Sequence, residues 1–156
     1  MVDEKTKTKA WDELNAKWAK WRQEEAKKGP ALAIKFSDAP VFKGSRADII
    51  GYRLINEVTV GTKNMGVTIA YLLPGGKIGA HRHNLEEVYV FMQGEGIQTL
   101  EGKQKTHVKA GMCTYIKPNL EHETVNTSDE VMIIVACLSK PPFYWGPPYE
   151  AAKEGA

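Results

Sequence analysis

The stretch that decides the fold is GGKIGAHRHNLEEVYVFMQGEG, residues 75–96. Glycines bracket a run of alternating residues, the pattern of a short strand between turns. Strand side chains point to opposite faces in turn, so His81 and His83 share a face and Arg82 takes the other. Two residues along a strand span roughly 6.6 Å, and two imidazoles at that spacing can converge on one ion. Glu87 lies four positions past His83. It returns to the same face if the strand runs on, or comes close to it across a short bend at Asn84-Leu85. Tyr89 and Phe91 continue that face. Glu86 is expected to face outward.

Outward from this stretch, short β-rich runs recur between turn residues. They cover roughly 31–36, 50–60, 65–73, 85–93, 96–101, 104–109, 112–117, 122–126 and 130–138, and predict an all-β sandwich or barrel. The run VMIIVACL, 131–138, is apolar on both faces and should be covered on both sides. In KPNLEHETVN, His122 follows a Pro-initiated turn and opens a strand that a barrel can bring opposite the first. His81, His83, Glu87 and His122 are therefore the candidate metal ligands. Three neutral imidazoles and a carboxylate leave two positions open on a six-coordinate ion. Iron, manganese, nickel or cobalt as the divalent ion suits that set, and zinc is also allowed. The remaining histidine, His107, sits in a polar hairpin and is read as a surface residue. Glu121 and Glu123 flank His122 on the opposite face, where Arg82 could pair with one of them or with Glu86.

Before the barrel, residues 9–28 read as a helix. Trp11, Leu14, Trp18 and Trp21 form its apolar stripe, and Gly29-Pro30 stops it. The stripe is expected to pack on the barrel or a partner subunit. A membrane-surface helix is the alternative, and the mixed signs of the polar face speak against it. The domain plan is a helical extension over 1–30, one barrel over 31–140 and an extended Pro-aromatic tail over 141–156. The 156 residues carry 42% hydrophobic and 26% charged side chains and a formal charge of +2. That balance is one of a soluble globular domain and argues against a dedicated nucleic-acid surface. No apolar run reaches membrane-spanning length, and the polar N-terminus lacks a secretory signal's apolar stretch. Cys113 and Cys137 show no CxxC spacing, so a reducing cytoplasm is the expected location.

Residues 75–94 resemble the first cupin motif in full: Gly75, five residues, His81, one, His83, three, Glu87, six, Gly94. Residues 111–126 are similar to the second: Gly111, six residues, Pro118, three, His122, three, Asn126. The family pattern usually has five residues before the Pro and a Gly soon after it. Here there are six, and Asn119 occupies the turn; Asn tolerates the left-handed backbone a Gly would supply. The resemblance covers about residues 50–140. It implies a jelly-roll (cupin) β-barrel with the ion inside its mouth, and often a homodimer.

Cupins include dioxygenases, decarboxylases, isomerases, lyases and non-catalytic sensors, so the fold leaves the reaction open. The HxH, Glu, Glu-plus-two Tyr and distant His are similar to the small cupin lyases that cleave dimethylsulfoniopropionate. That resemblance makes Tyr89 the candidate catalytic base, with packing as its alternative role. The expectation is a metal-dependent enzyme on a small polar carboxylate or hydroxy-ketone, by Lewis-acid and general-base chemistry of a lyase or isomerase type. An Fe(II)-dependent dioxygenase and a non-catalytic small-molecule binder are the alternatives. A small molecule and a second copy of the chain are the partners expected; nucleic acid and membrane are not.

Overall fold

Alternating burial along each strand sorts the chain into two sheets. The computed structural model describes residues 4–29, 32–43 and 48–140. In chain order these form α1 (Glu4–Ala26), a 3-10 turn (Phe36–Asp38), β1 (Val41–Lys43), β2 (Ile49–Ile55), α2 (Glu57–Val60) and β3 (Gly66–Leu72). Then come β4 (Lys77–His81), β5 (Glu87–Gln93), β6 (Glu95–Leu100), β7 (Gln104–Lys109), β8 (Cys113–Ile116), β9 (His122–Asn126) and β10 (Met132–Leu138). One sheet has the order β1-β2-β3-β10-β5-β8 and the other β4-β9-β6-β7. The two inner faces enclose a core of Leu72, Phe91, Val108, Ile116, Met132 and Ile134, all fully buried. This is the all-β jelly-roll that the sequence predicts, with its N-terminal helix.

β10 lies between β3 and β5. Its even-numbered residues are buried and its odd-numbered ones half-buried, so both faces of the apolar run are at least partly covered. The GEG turn also has physical reasons. Gly94 holds φ +78°, and a Cβ on Gly96 would strike the carbonyl of Val125 on β9.

Two expectations need correction. The run 31–36 is no strand: residues 32–35 are irregular and Phe36 begins the 3-10 turn. A β-prone run becomes a strand only where a neighbour takes its backbone groups, and residues 32–35 pair with none. The run 50–60 divides after Ile55. The Asn56 side chain accepts from the backbone of Val58 and Thr59, and Thr59 Oγ1 accepts from Asn56, a reciprocal cap that opens α2 in spite of its β-branched residues.

The helix is anchored as its stripe suggests. Trp18 is buried, edge-on to Trp21 at 5.1 Å between ring centroids. The Arg22 guanidinium donates to the carbonyls of Val58 and Thr59 at the C-terminal end of α2. The side chains of Trp11 and Leu14 and the whole tail 141–156 lie outside the described residues.

Candidate metal centre

Each predicted ligand reaches the site by a different route. His81 ends β4 in the four-stranded sheet, and Glu87 begins β5 in the six-stranded sheet. His83 stands in the link between them, so of the two routes open to Glu87 the chain takes the short bend at Asn84-Leu85, and that bend is a crossing between sheets. His122 opens β9 and is the register partner of His81. The turn before it contains Asn119 at φ +64°, the left-handed conformation expected of that residue. The Asn119 N–H donates to the His83 carbonyl at 2.6 Å, which fixes the otherwise irregular link.

The three imidazoles are oriented alike. His81 Nδ1 lies 2.8 Å from the Gly79 carbonyl, His83 Nδ1 3.1 Å from that of Leu85, and His122 Nδ1 2.9 Å from that of Leu120. A carbonyl can only accept, so each Nδ1 carries the proton and each Nε2 becomes the ligating pole. Glu87 Oε2 stands 3.0 Å from His83 Nε2 and 3.1 Å from His122 Nε2. One donor atom from each of His81, His83, Glu87 and His122 falls within 4.8 Å of the others. Opposite ligands on an ion with bonds of about 2.1 Å stand about 4.2 Å apart, so the set fits a divalent transition metal.

The electrostatics follow from this crowding. Burial lowers the pKa of His81, and the neighbouring His122 lowers it further. The hydrogen bond to Glu87 raises that of His83. Burial alone would push the Glu87 carboxyl up, but hydrogen bonds from His122 and His83 outweigh it and hold it below the usual range. The His83 imidazole, whose charged form the Glu87 hydrogen bond favours, thus stands beside the buried carboxylate in the place where a cation would compensate it.

Tyr89 is buried one strand period from Glu87, its ring edge-on to that of His122 at 6.0 Å between centroids. The residues read as peripheral are so. His107 is exposed beside Glu95, Arg82 pairs with Glu121 and Glu101, and Glu86 accepts from the Tyr115 hydroxyl. The inward polar residues Gln98, Thr114 and Thr124 escaped the sequence reading. Their one signal was strand parity: Thr124 falls two residues after His122, on the same face.

Residues 68–138 match the family model of the cupin domain. The chain carries a cupin domain over these residues. An auxin-binding protein of Nicotiana tabacum is 26% identical over 141 residues, 80% of this cupin and 75% of that protein. Dimethylsulfoniopropionate lyase DddW of Ruegeria pomeroyi is 31% identical over 99 residues, 62% of this chain and 64% of the lyase. The crystal structure of a predicted oxalate decarboxylase from Thermotoga maritima superposes with a TM-score of 0.61 at 20% identity, over 70% of this cupin and 99% of that chain. Some cupin relatives are thus enzymes and others carry the names of binding proteins.

Proposed function

We propose that this cupin is a metal-dependent enzyme that removes the proton α to the carboxylate or carbonyl of a small polar substrate, in a reaction of the lyase or isomerase type. The observation that carries the reading is the convergence of one donor atom from each of three imidazoles and one carboxylate within 4.8 Å of one another, beside Tyr89. His81, His83, Glu87 and His122 would hold the ion, which when bound acts as a Lewis acid on a substrate oxygen. The backbone carbonyls behind each Nδ1 keep the rings aimed. Tyr89 takes the α-proton on its phenolic oxygen. With dimethylsulfoniopropionate, the electrons of the broken C–H bond form the C=C bond, and the C–S pair leaves with sulfur. The products are acrylate, dimethyl sulfide and a proton. The match to DddW supports this substrate class. The thiols of Cys113 and Cys137 are free, which supports a reducing, cytoplasmic setting. Among the described residues no helix is long and apolar enough to cross a membrane.

The test is acrylate release from dimethylsulfoniopropionate by protein as purified, after chelation, and after iron or manganese is restored, each with and without oxygen. Turnover without oxygen that vanishes on chelation and returns with metal is the expected result. Oxygen consumption in step with turnover would replace this reading with the Fe(II)-dependent dioxygenase.

A second reading, binding without turnover, is favoured by the longer match to the auxin-binding protein, 141 residues against 99. Saturable binding of indole-3-acetate, with no product from any small carboxylate or hydroxy-ketone, would select it.

A further inference from the structure

Among the described residues three side-chain atoms are buried without a hydrogen-bond partner: Gln98 Nε2, Thr114 Oγ1 and Thr124 Oγ1. Gln98 is 2% exposed and Thr124 0%. Buried polar atoms without partners are rare and costly, so each calls for a reason. The strand registers, with the Glu87–His122 contact aligning the two sheets, place all three one strand period from the metal ligands. Gln98 faces Thr124 across β6 and β9, and Thr114 faces Tyr89 across β8 and β5. The layer above holds Glu87 opposite Ile116 and His122 opposite Leu100. The layer below brings in Phe91 and Ile134 from the six-stranded sheet, and from the other Gly96 and the buried Asn126, whose amide is already hydrogen-bonded. Ala136, the β10 partner of Tyr89, adds a further short side chain to the polar layer.

We infer that Gln98, Thr114 and Thr124 form a polar recess, one strand period beneath the metal ligands, that receives an uncharged oxygen at the far end of the substrate. The inference rests on the metal-site reading above and narrows its substrate class: a sulfonium end has no oxygen to place there, so the far end is a hydroxyl or carbonyl. Gln98 Nε2 can only donate, whereas the two threonine hydroxyls donate or accept. No cation stands among them, and the Glu87 carboxylate lies one layer away. A second carboxylate there would be desolvated and uncompensated, while a hydroxyl or carbonyl oxygen would gain the missing bonds. Two residues of strand rise set the depth at roughly 6.6–6.8 Å below the ligand layer. A four-carbon acid with a terminal hydroxyl spans that distance.

The probes are 4-hydroxybutyrate and butyrate, titrated calorimetrically into the metal-loaded protein. We expect the hydroxy acid to bind about tenfold more tightly, one hydrogen-bonded hydroxyl's worth in a buried site. The shape-keeping variants Gln98→Met and Thr124→Val should bring that ratio close to one, with metal content unchanged and no fall in thermal midpoint, since each removes an unsatisfied atom. A ratio near one in the wild type, a ratio that survives in both variants, or no binding of either acid with the metal still in place would each overturn the recess and leave the metal site standing. Failure to retain metal would remove the metal-site reading and the recess with it.

Discussion

Glu87 and His122 belong to different sheets and lie 35 residues apart in sequence, yet Oε2 of one stands 3.1 Å from Nε2 of the other. The same oxygen is 3.0 Å from His83 Nε2. One carboxylate therefore ties the two sheets together and sets the charge that a metal must match.

His81→Ala, His83→Ala and His122→Ala should each weaken metal binding at least ~10-fold, because a lost donor opens the ion to water and loosens the others. His107→Ala should leave metal content unchanged, since His107 is exposed beside Glu95 and far from the set. Elemental analysis of the four variants checks this; undiminished metal in any of the first three would remove that residue from the site.

Metal uptake should release protons. The hydrogen bond to Glu87 raises the pKa of His83, so the metal-free protein keeps a proton there to higher pH than a free imidazole does, and the ion must displace it. The sign is fixed: affinity falls as pH drops through the raised His83 pKa, and proton release shrinks as pH rises above it. His81 has its pKa lowered and begins to compete only in more acid solution. Calorimetry in buffers of different ionisation enthalpy counts the protons. Uptake with no proton release at any pH between 5 and 8 would contradict the geometry.

Tyr89→Phe keeps nearly the same volume at a fully packed position, so fold and metal content should hold. Turnover should fall roughly 10²–10⁴-fold if the phenolic oxygen moves the proton. Steady-state rates on dimethylsulfoniopropionate, or on any other small carboxylate or hydroxy-ketone the protein turns over, decide it, and full activity in the variant would leave Tyr89 a packing residue.

Asn119 ties the second histidine segment to the first. At φ +64° a glycine is free of strain and a β-branched residue is not. Asn119→Gly should bind metal as the wild type does. Asn119→Val should lose about 1–3 kcal/mol of stability and several-fold in metal affinity, as the backbone bond to His83 is pulled out of place. Thermal unfolding and metal titration of the pair test this, and equal behaviour of the two variants would show that the turn does not hold His83.

We also propose a homodimer through the outer face of the six-stranded sheet. There Met92 and Tyr115 are 58% and 54% exposed beside the half-buried Val88, Val90 and Val135. Sedimentation at micromolar concentration should give twice the chain mass. Met92→Lys with Tyr115→Lys should halve it, and a monomeric wild type would refute the assembly.

The site was legible because its ligand residues sit at fixed spacings: His81, His83 and Glu87 within seven positions, and His122 after a turn that Pro118 and Asn119 announce. Alternation and turn residues likewise announced most of the strands. The reading failed where local propensity competes with local bonding. Thr59 is β-branched, yet its hydroxyl completes a helix cap with Asn56. The run at 31–36 looked like a strand, and whether a neighbour pairs with it is not written in the run itself.

By itself, then, the sequence determined the residue types that can ligate, their order, and the period-2 pattern that turns them inward, since those depend on neighbours a few positions away. Only the tertiary structure decided that the chain changes sheet between His83 and Glu87. It also decided that three backbone carbonyls aim three imidazoles at one point, and that Gln98, Thr114 and Thr124 share a layer. Those facts depend on register between strands distant in sequence, and register is set by packing two sheets over one core rather than by any single strand.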